Sequence, residues 1–140
     1  MNGLTYAYIG DAYYELAIRK HLISKGHTAV NDLHTQAVNY TSGTAQAYVI
    51  DRLIGDNLIS VDEIAMVKRG RNASGPGRKN IDARTYHMST GFEALIGHLC
   101  LTDTARADAV IQMAITTIER RRHDGEDRHQ QHPDDPTDRR

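Results

Sequence analysis

Apolar residues recur along this chain at intervals of three and four, the spacing of one face of an α-helix, and nowhere alternate with polar ones for long enough to suggest a half-buried strand. The first such segment, Leu4 to Ile23, is apolar round most of its circumference (Leu4, Tyr8, Ile9, Ala12, Tyr13, Leu16, Ala17, Ile18, Leu22), which predicts a long helix through the centre of a domain. Gly26 supplies its stop. A second helix is predicted behind Asn31 as N-cap, reaching about Tyr40, and a third behind Ser42, closing before Gly55. Ser60-Val61-Asp62-Glu63 fits a capping box and launches a fourth, carrying Ile64, Val67, Lys68 and Arg71, which Ser74-Gly75-Pro76-Gly77 must break. Two more are expected, one around Thr90 to Leu101 and one from about Asp103 to Arg121 with Val110, Ile111, Ala114, Ile115 and Ile118 as its inward stripe. The expected fold is an all-α helical bundle, with Met66, Met88 and Met113 filling its core.

With 140 residues, 39% of them hydrophobic, the chain is long enough for one compact domain and too short for two comfortable ones. After Ile118 the composition changes. Glu119 to Arg140 contains no Ala, Val, Ile, Leu, Met, Phe, Trp, Tyr or Cys, so nothing there offsets chain entropy by burial. The expectation is a folded domain over residues 1–121 and a disordered charged tail over 122–140, whose His123, His129 and His132 are too irregularly spaced to read as a metal site. A single cysteine, Cys100, excludes an internal disulfide and a thiolate zinc cage; a buried small side chain in a cytoplasmic protein is expected instead. No apolar run approaches the roughly 20 residues that span a bilayer, so neither membrane insertion nor secretion is expected.

The net charge of -1 hides an imbalance. Lys68 to Arg84 carries six basic residues (Lys68, Arg69, Arg71, Arg78, Lys79, Arg84) against the single acid Asp82, on a body that is otherwise acidic. Such a segment is either a solvated face or a docking site for a polyanion. Two acidic intrusions into apolar segments ask for a reason. Asp11 and Glu15 stand four residues apart in the first helix, and Glu93 interrupts Phe92 to Gly97. Carboxylates so placed pay desolvation unless hydrogen-bonded, paired with a cation or bound to metal. A Glu15 to Arg19 ion pair and a hydrogen bond donated by a tyrosine to Glu93 would also answer the need. His21, His27, His34, His87 and His98 show no metal-binding spacing.

Ile9-Gly10-Asp11-Ala12, followed by Phe92-Glu93-Ala94-Leu95-Ile96-Gly97, resembles the two catalytic motifs of the ribonuclease III nuclease domain, an all-helical fold. Tyr8 to Ala12, Asn31-Asp32-Leu33-His34, Lys68 to Ala73, Lys79-Asn80 and Thr85-Tyr86 resemble, in order, motifs of the Mini-III ribonucleases, which consist of the nuclease domain alone. The resemblance covers about Leu4 to Leu101. It implies a magnesium-dependent endoribonuclease acting on double-stranded RNA as a homodimer, with a role in maturing the ends of 23S ribosomal RNA precursors. Asp11 and Glu93 become the catalytic metal ligands, with Glu15 as a residue behind them. Lys68, Arg69, Arg71, Arg78, Lys79 and Arg84 become backbone clamps, and Asn72 and Tyr86 phosphate-positioning residues. Tyr6, Tyr8, Tyr13 and Tyr14 are either part of a dimer interface or plain core. One departure matters: ordinary ribonuclease III has further acids where this chain has Ala7 and Thr90, so metal count and affinity are open. The alternative readings are a catalytically silent duplex-RNA-binding module of the same fold and a helical scaffold whose basic segment binds an acidic protein.

Overall fold

The computed structural model describes residues 1–76 and 81–131, the last six by backbone alone. Its elements are α1 (Gly3–Ser24), α2 (Val30–Thr41), α3 (Gly43–Gly55), α4 (Val61–Ala73), α5 (Ala83–Thr102) and α6 (Thr104–Gln131). The described residues contain no strand, so the all-α expectation holds.

Most helix starts are written in short polar side chains that satisfy amides left without a partner in the first turn. Asn2 accepts from the Thr5 amide, Ser42 from that of Ala45, and Ser60 and Glu63 form both halves of the expected capping box. Asp82 caps α5, taking the amide and the hydroxyl of Thr85. That cap starts α5 at Ala83, not at Thr90: its first turns present few apolar residues and so lack a stripe. α2 also differs from expectation. Ala29 stands at its N-cap without a side-chain bond, and Asn31 lies inside the helix, where the neighbouring Asp32 meets His27 Nδ1 at 2.7 Å. Gly26 ends the α1 turn as expected, in the left-handed region at φ 96°.

The central helix is α5, buried almost continuously from Met88 to Leu99. α1 is not central. It buries one stripe (Gly3, Ala7, Gly10, Tyr14, Ile18, Leu22) against the bundle and leaves Leu4, Tyr8, Leu16 and Ile23 exposed. Its abundance of apolar residues thus reflects two faces with different surroundings. Tyr14 packs edge-on against Phe92 with ring centroids 5.0 Å apart and donates its hydroxyl to the Tyr40 carbonyl at 2.9 Å, so even the core's largest polar side chain is satisfied. Side chains buried as fully as Ile18, Ile50, Leu53, Leu95 and Val110 each contribute about 1.5–3 kcal/mol. Met66 and Met88 are buried and Met113 partly so, while burial raises the half-buried Cys100 thiol above its usual range.

α6 corrects the reading of the carboxyl-terminal segment. The composition changes after Ile118 because the inward stripe ends there, but the helix continues to Gln131. Glu119 accepts from Lys25 Nζ at 2.7 Å and from the Tyr40 hydroxyl at 2.8 Å, and lies 2.9 Å from His21 Nε2, tying α6 to α1 and α2. Arg121 stacks over the Tyr48 ring, 4.0 Å from its centroid. Polar contacts hold this stretch where apolar burial is missing. The rest of the expected tail, residues 132–140, lies outside the described residues, as do the side chains of 126–131. At its other end α6 is fixed by Arg106, which bonds both Glu63 oxygens and the Leu58 carbonyl, and this guanidinium lowers the Glu63 carboxyl's pKa. No described helix is long and apolar enough to cross a membrane.

Burial pushes the Glu119 carboxyl up, but its bonds to Lys25, His21 and Tyr40 outweigh that and hold it at about 2, below the ordinary 4.5. Burial and the bond to Glu119 push the Tyr40 phenol up to about 12. A depressed carboxylate stabilises the fold above its unfolded pKa and loses that contribution as pH falls through the folded value. Glu119→Gln is therefore expected to melt below the wild type at pH 7, with the gap closing as pH drops from about 4.5 towards 2. Thermal unfolding across that range checks it, and a gap independent of pH would contradict it.

Candidate active site

The site is made by two helices whose backbones touch. A Cβ placed on Gly10 of α1 would stand 1.8 Å from the Glu93 carbonyl oxygen of α5, and one on Gly97 would stand 1.8 Å from the Tyr6 carbonyl oxygen. Only glycine permits that approach. Asp11 follows Gly10 directly, and Glu93 carries the very carbonyl that Gly10 meets, so the crossing that joins α1 to α5 also brings the two carboxylates together. A second close crossing joins α4 to α5: a Cβ on Gly70 would lie 2.9 Å from the Thr90 carbonyl oxygen, and one on Gly91 2.7 Å from that of Val67. Gly3, meeting the Arg69 carbonyl oxygen in the same way, sets the start of α1 against α4.

Asp11 and Glu93 line one cavity of about 520 Å³. Ala7 and Thr90, one turn towards the amino end of each carboxylate, line it too, so the positions where ordinary ribonuclease III carries further acids do open onto the site. Neither is charged. The Thr90 hydroxyl donates to the Tyr86 carbonyl at 3.0 Å. Tyr86 itself lines the cavity. Thr41, Gln46, Ser89 and Thr90 line the cavity with the carboxylates. That oxygen-rich set suits a hard divalent cation completed by water and phosphate oxygens, and suits zinc or copper poorly. The described residues contain no group of three or more His, Cys, Asp or Glu able to hold a metal.

The remaining expected site residues divide. Glu15 does not line the cavity; it pairs with Arg19 at 3.2 Å. Lys68, Arg71 and Asn72 are exposed on α4, with Arg71 Nε 3.4 Å from the Asn72 side-chain oxygen. Arg69 also lies there, but its guanidinium bonds the Met1 carbonyl and sits 5.5 Å over the Tyr6 ring, holding down the start of α1. Arg84 is clamped by both oxygens of Asp51, at 3.0 and 3.1 Å, which offsets its charge. Arg78 and Lys79 lie outside the described residues. Of the four tyrosines, Tyr14 is core, Tyr13 donates to Asp108 at 2.7 Å, Tyr6 meets His98 edge-on, and Tyr8 is 83% exposed beside the cavity.

Sequence reasoning missed Gln46, Thr41 and Ser89 as wall residues. For Gln46 a signal existed: it shares the inward stripe of α3 with Val49, Ile50 and Leu53, where a polar residue is out of place.

This fold and site define a nuclease domain of the ribonuclease III class: the Ribonuclease III domain family matches residues 4–104. The chain is 46% identical over 125 residues to Mini-ribonuclease 3 of Acholeplasma laidlawii, covering 89% of this chain and all of that relative. It is 47% identical over 120 residues to Mini-ribonuclease 3 of Enterococcus faecalis, covering 84% of this chain and 91% of the relative. A crystal structure of a protein from Fusobacterium nucleatum superposes with a TM-score of 0.72 at 25% identity, covering 83% of this chain and 93% of that one. The chain belongs to the Mini-ribonuclease 3 family and is an endoribonuclease.

The glycine contact yields a test with a sign. In an isolated helix Gly10→Ala would stabilise by about 1 kcal/mol through helix propensity. Against the Glu93 carbonyl it is expected to destabilise by about 3 kcal/mol or more, since backbone must move to admit the methyl. Urea unfolding decides, and a stabilised variant would contradict the crossing.

Proposed function

We propose that this endoribonuclease cuts double-stranded RNA with magnesium held by Asp11 and Glu93, acts as a homodimer, and matures the ends of 23S ribosomal RNA precursors. The observation that carries the reading is the backbone crossing that sets Asp11 and Glu93 in one oxygen-lined cavity with the basic face of α4 packed beside the start of α1. When bound, magnesium supplies an activated water and stabilises the departing oxygen of a phosphodiester, so no protein nucleophile is needed. The chain's own part is to hold and orient. Asp11 and Glu93 supply ligand oxygens, and with Ala7 and Thr90 in place of further acids the rest of the shell falls to water and phosphate, which predicts loose metal binding.

Duplex RNA is read mainly by shape and charge, because its deep major groove excludes side chains. Lys68 and Arg71, exposed on α4, are suited to neutralise backbone phosphates; Arg84, already paired with Asp51, is suited less well. One site cuts one strand, so cutting both requires two sites facing opposite strands, which a two-fold pair of chains provides. The outer face of α1 supports such pairing: Leu4, Tyr8 and Leu16 are 45%, 83% and 53% exposed, a costly apolar stripe for a lone chain. The ribosomal RNA role follows from the family resemblance.

On a long labelled duplex at low salt, the wild type is expected to cut duplex and not single strand, only with magnesium, and Asp11→Asn to bind without cutting. Binding without cutting by the wild type would instead favour the silent RNA-binding module. Lys68→Ala and Arg71→Ala are each expected to weaken binding and to lower the slope of log affinity against log salt by about 1, with a smaller change for Arg84→Ala. Equal slopes for all three would remove α4 from the interface.

A further inference from the structure

Gln46 is 3% exposed, lines the cavity that holds Asp11 and Glu93, and its side-chain amide has no hydrogen-bond partner among the described residues. The amide is not sealed in the core, since among the described residues the fully buried side-chain polar atom left without a partner is His98 Nδ1; it stays accessible to whatever enters the cavity. The other polar groups of the wall differ. The hydroxyl protons of Thr41, Ser89 and Thr90 already go to carbonyls of their own helices, at 3.0, 2.8 and 3.0 Å, leaving those oxygens as acceptors. Gln46 keeps both its N–H donors and its carbonyl acceptor for whatever enters.

We infer that Gln46 is a substrate-positioning residue whose side-chain amide hydrogen-bonds the 2'-hydroxyl of a ribose flanking the cut phosphate, so that the site selects RNA at the point of cleavage. This rests on the proposed function. A phosphate would fit the amide poorly, because its oxygens only accept and would stand against the Gln46 carbonyl. A 2'-hydroxyl donates and accepts, matching both halves of the amide, and is the group that separates RNA from DNA. The carboxylates beside Gln46 in the cavity place the cut phosphate there, so a flanking ribose is the nearest hydroxyl-bearing part of the strand.

The test uses a duplex cut at one defined bond, all-ribose or with a single 2'-deoxynucleotide on either side of that bond, against the wild type and Gln46→Met, which conserves volume and removes the hydrogen bonds. Gln46→Leu serves if the methionine variant fails to fold by circular dichroism. The wild type is expected to cut one of the deoxy duplexes on the order of tenfold more slowly than the ribose duplex. The variant should cut the ribose duplex about as slowly as that, with little further loss on the deoxy duplex, because both changes remove one interaction. Its half-saturating magnesium concentration is expected to match the wild type's. An undiminished deoxy penalty in the variant, or a wild type indifferent to both deoxy positions, would overturn the inference while leaving the nuclease reading intact. A shifted magnesium requirement would overturn it by making Gln46 a metal ligand. A wild type that cuts no RNA duplex would overturn the proposed function, and the inference with it.

Discussion

Everything at this site depends on the absence of two side chains. Gly10 and Gly97 let the backbones of α1 and α5 meet, and a methyl at either position would sit 1.8 Å from a carbonyl oxygen of the other helix. Because Asp11 is the next residue after Gly10, and Glu93 owns the carbonyl that Gly10 touches, the contact that packs the two helices also fixes their carboxylates relative to each other. A site assembled from backbone contact moves less than one assembled from long side chains, which is what catalysis by positioned ligands requires. The second glycine crossing, Gly70 with Gly91, extends the same rigidity to α4 and its basic residues.

The protein's periphery is held by a different device. α6 gains its apolar anchorage from Ala107 to Ile118 and then continues on polar contacts, with Glu119 gathering bonds from α1 and α2 and Arg121 stacking on Tyr48 of α3. Arg106 does the corresponding work at the start of the helix. The far ends of the bundle are therefore charge-dependent, whereas the crossing that carries the site is held by close packing.

These two devices also explain what could be read from the sequence. The capping residues at Ser42 and Ser60 and the stripe from Val110 to Ile118 are local signals: α3 and α4 stand where expected, and α6 begins where expected. α1 misleads because a count of apolar residues cannot separate the buried stripe through Tyr14 and Ile18 from the exposed one through Tyr8 and Leu16. Glu119 misleads in the opposite direction: its neighbours are polar, and only contacts from residues 79 to 98 positions away hold it in the fold. At the site, Asp11 and Glu93 were legible as acids in apolar company, while Glu15, Arg69 and Arg84 were legible as charges but not as charges already engaged. Gln46 was legible as a polar residue on the inward stripe of α3, but the cavity it lines comes only from the tertiary structure.

The central claim is that Asp11 and Glu93 form one metal site because α1 and α5 touch. Its most direct measurement is manganese binding, as a spectroscopic stand-in for magnesium, to the wild type, Asp11→Asn and Glu93→Gln by electron paramagnetic resonance. The account predicts binding in the wild type that is lost or greatly weakened in each single variant, with no additional loss in the double variant. Undiminished binding in either single variant would contradict it.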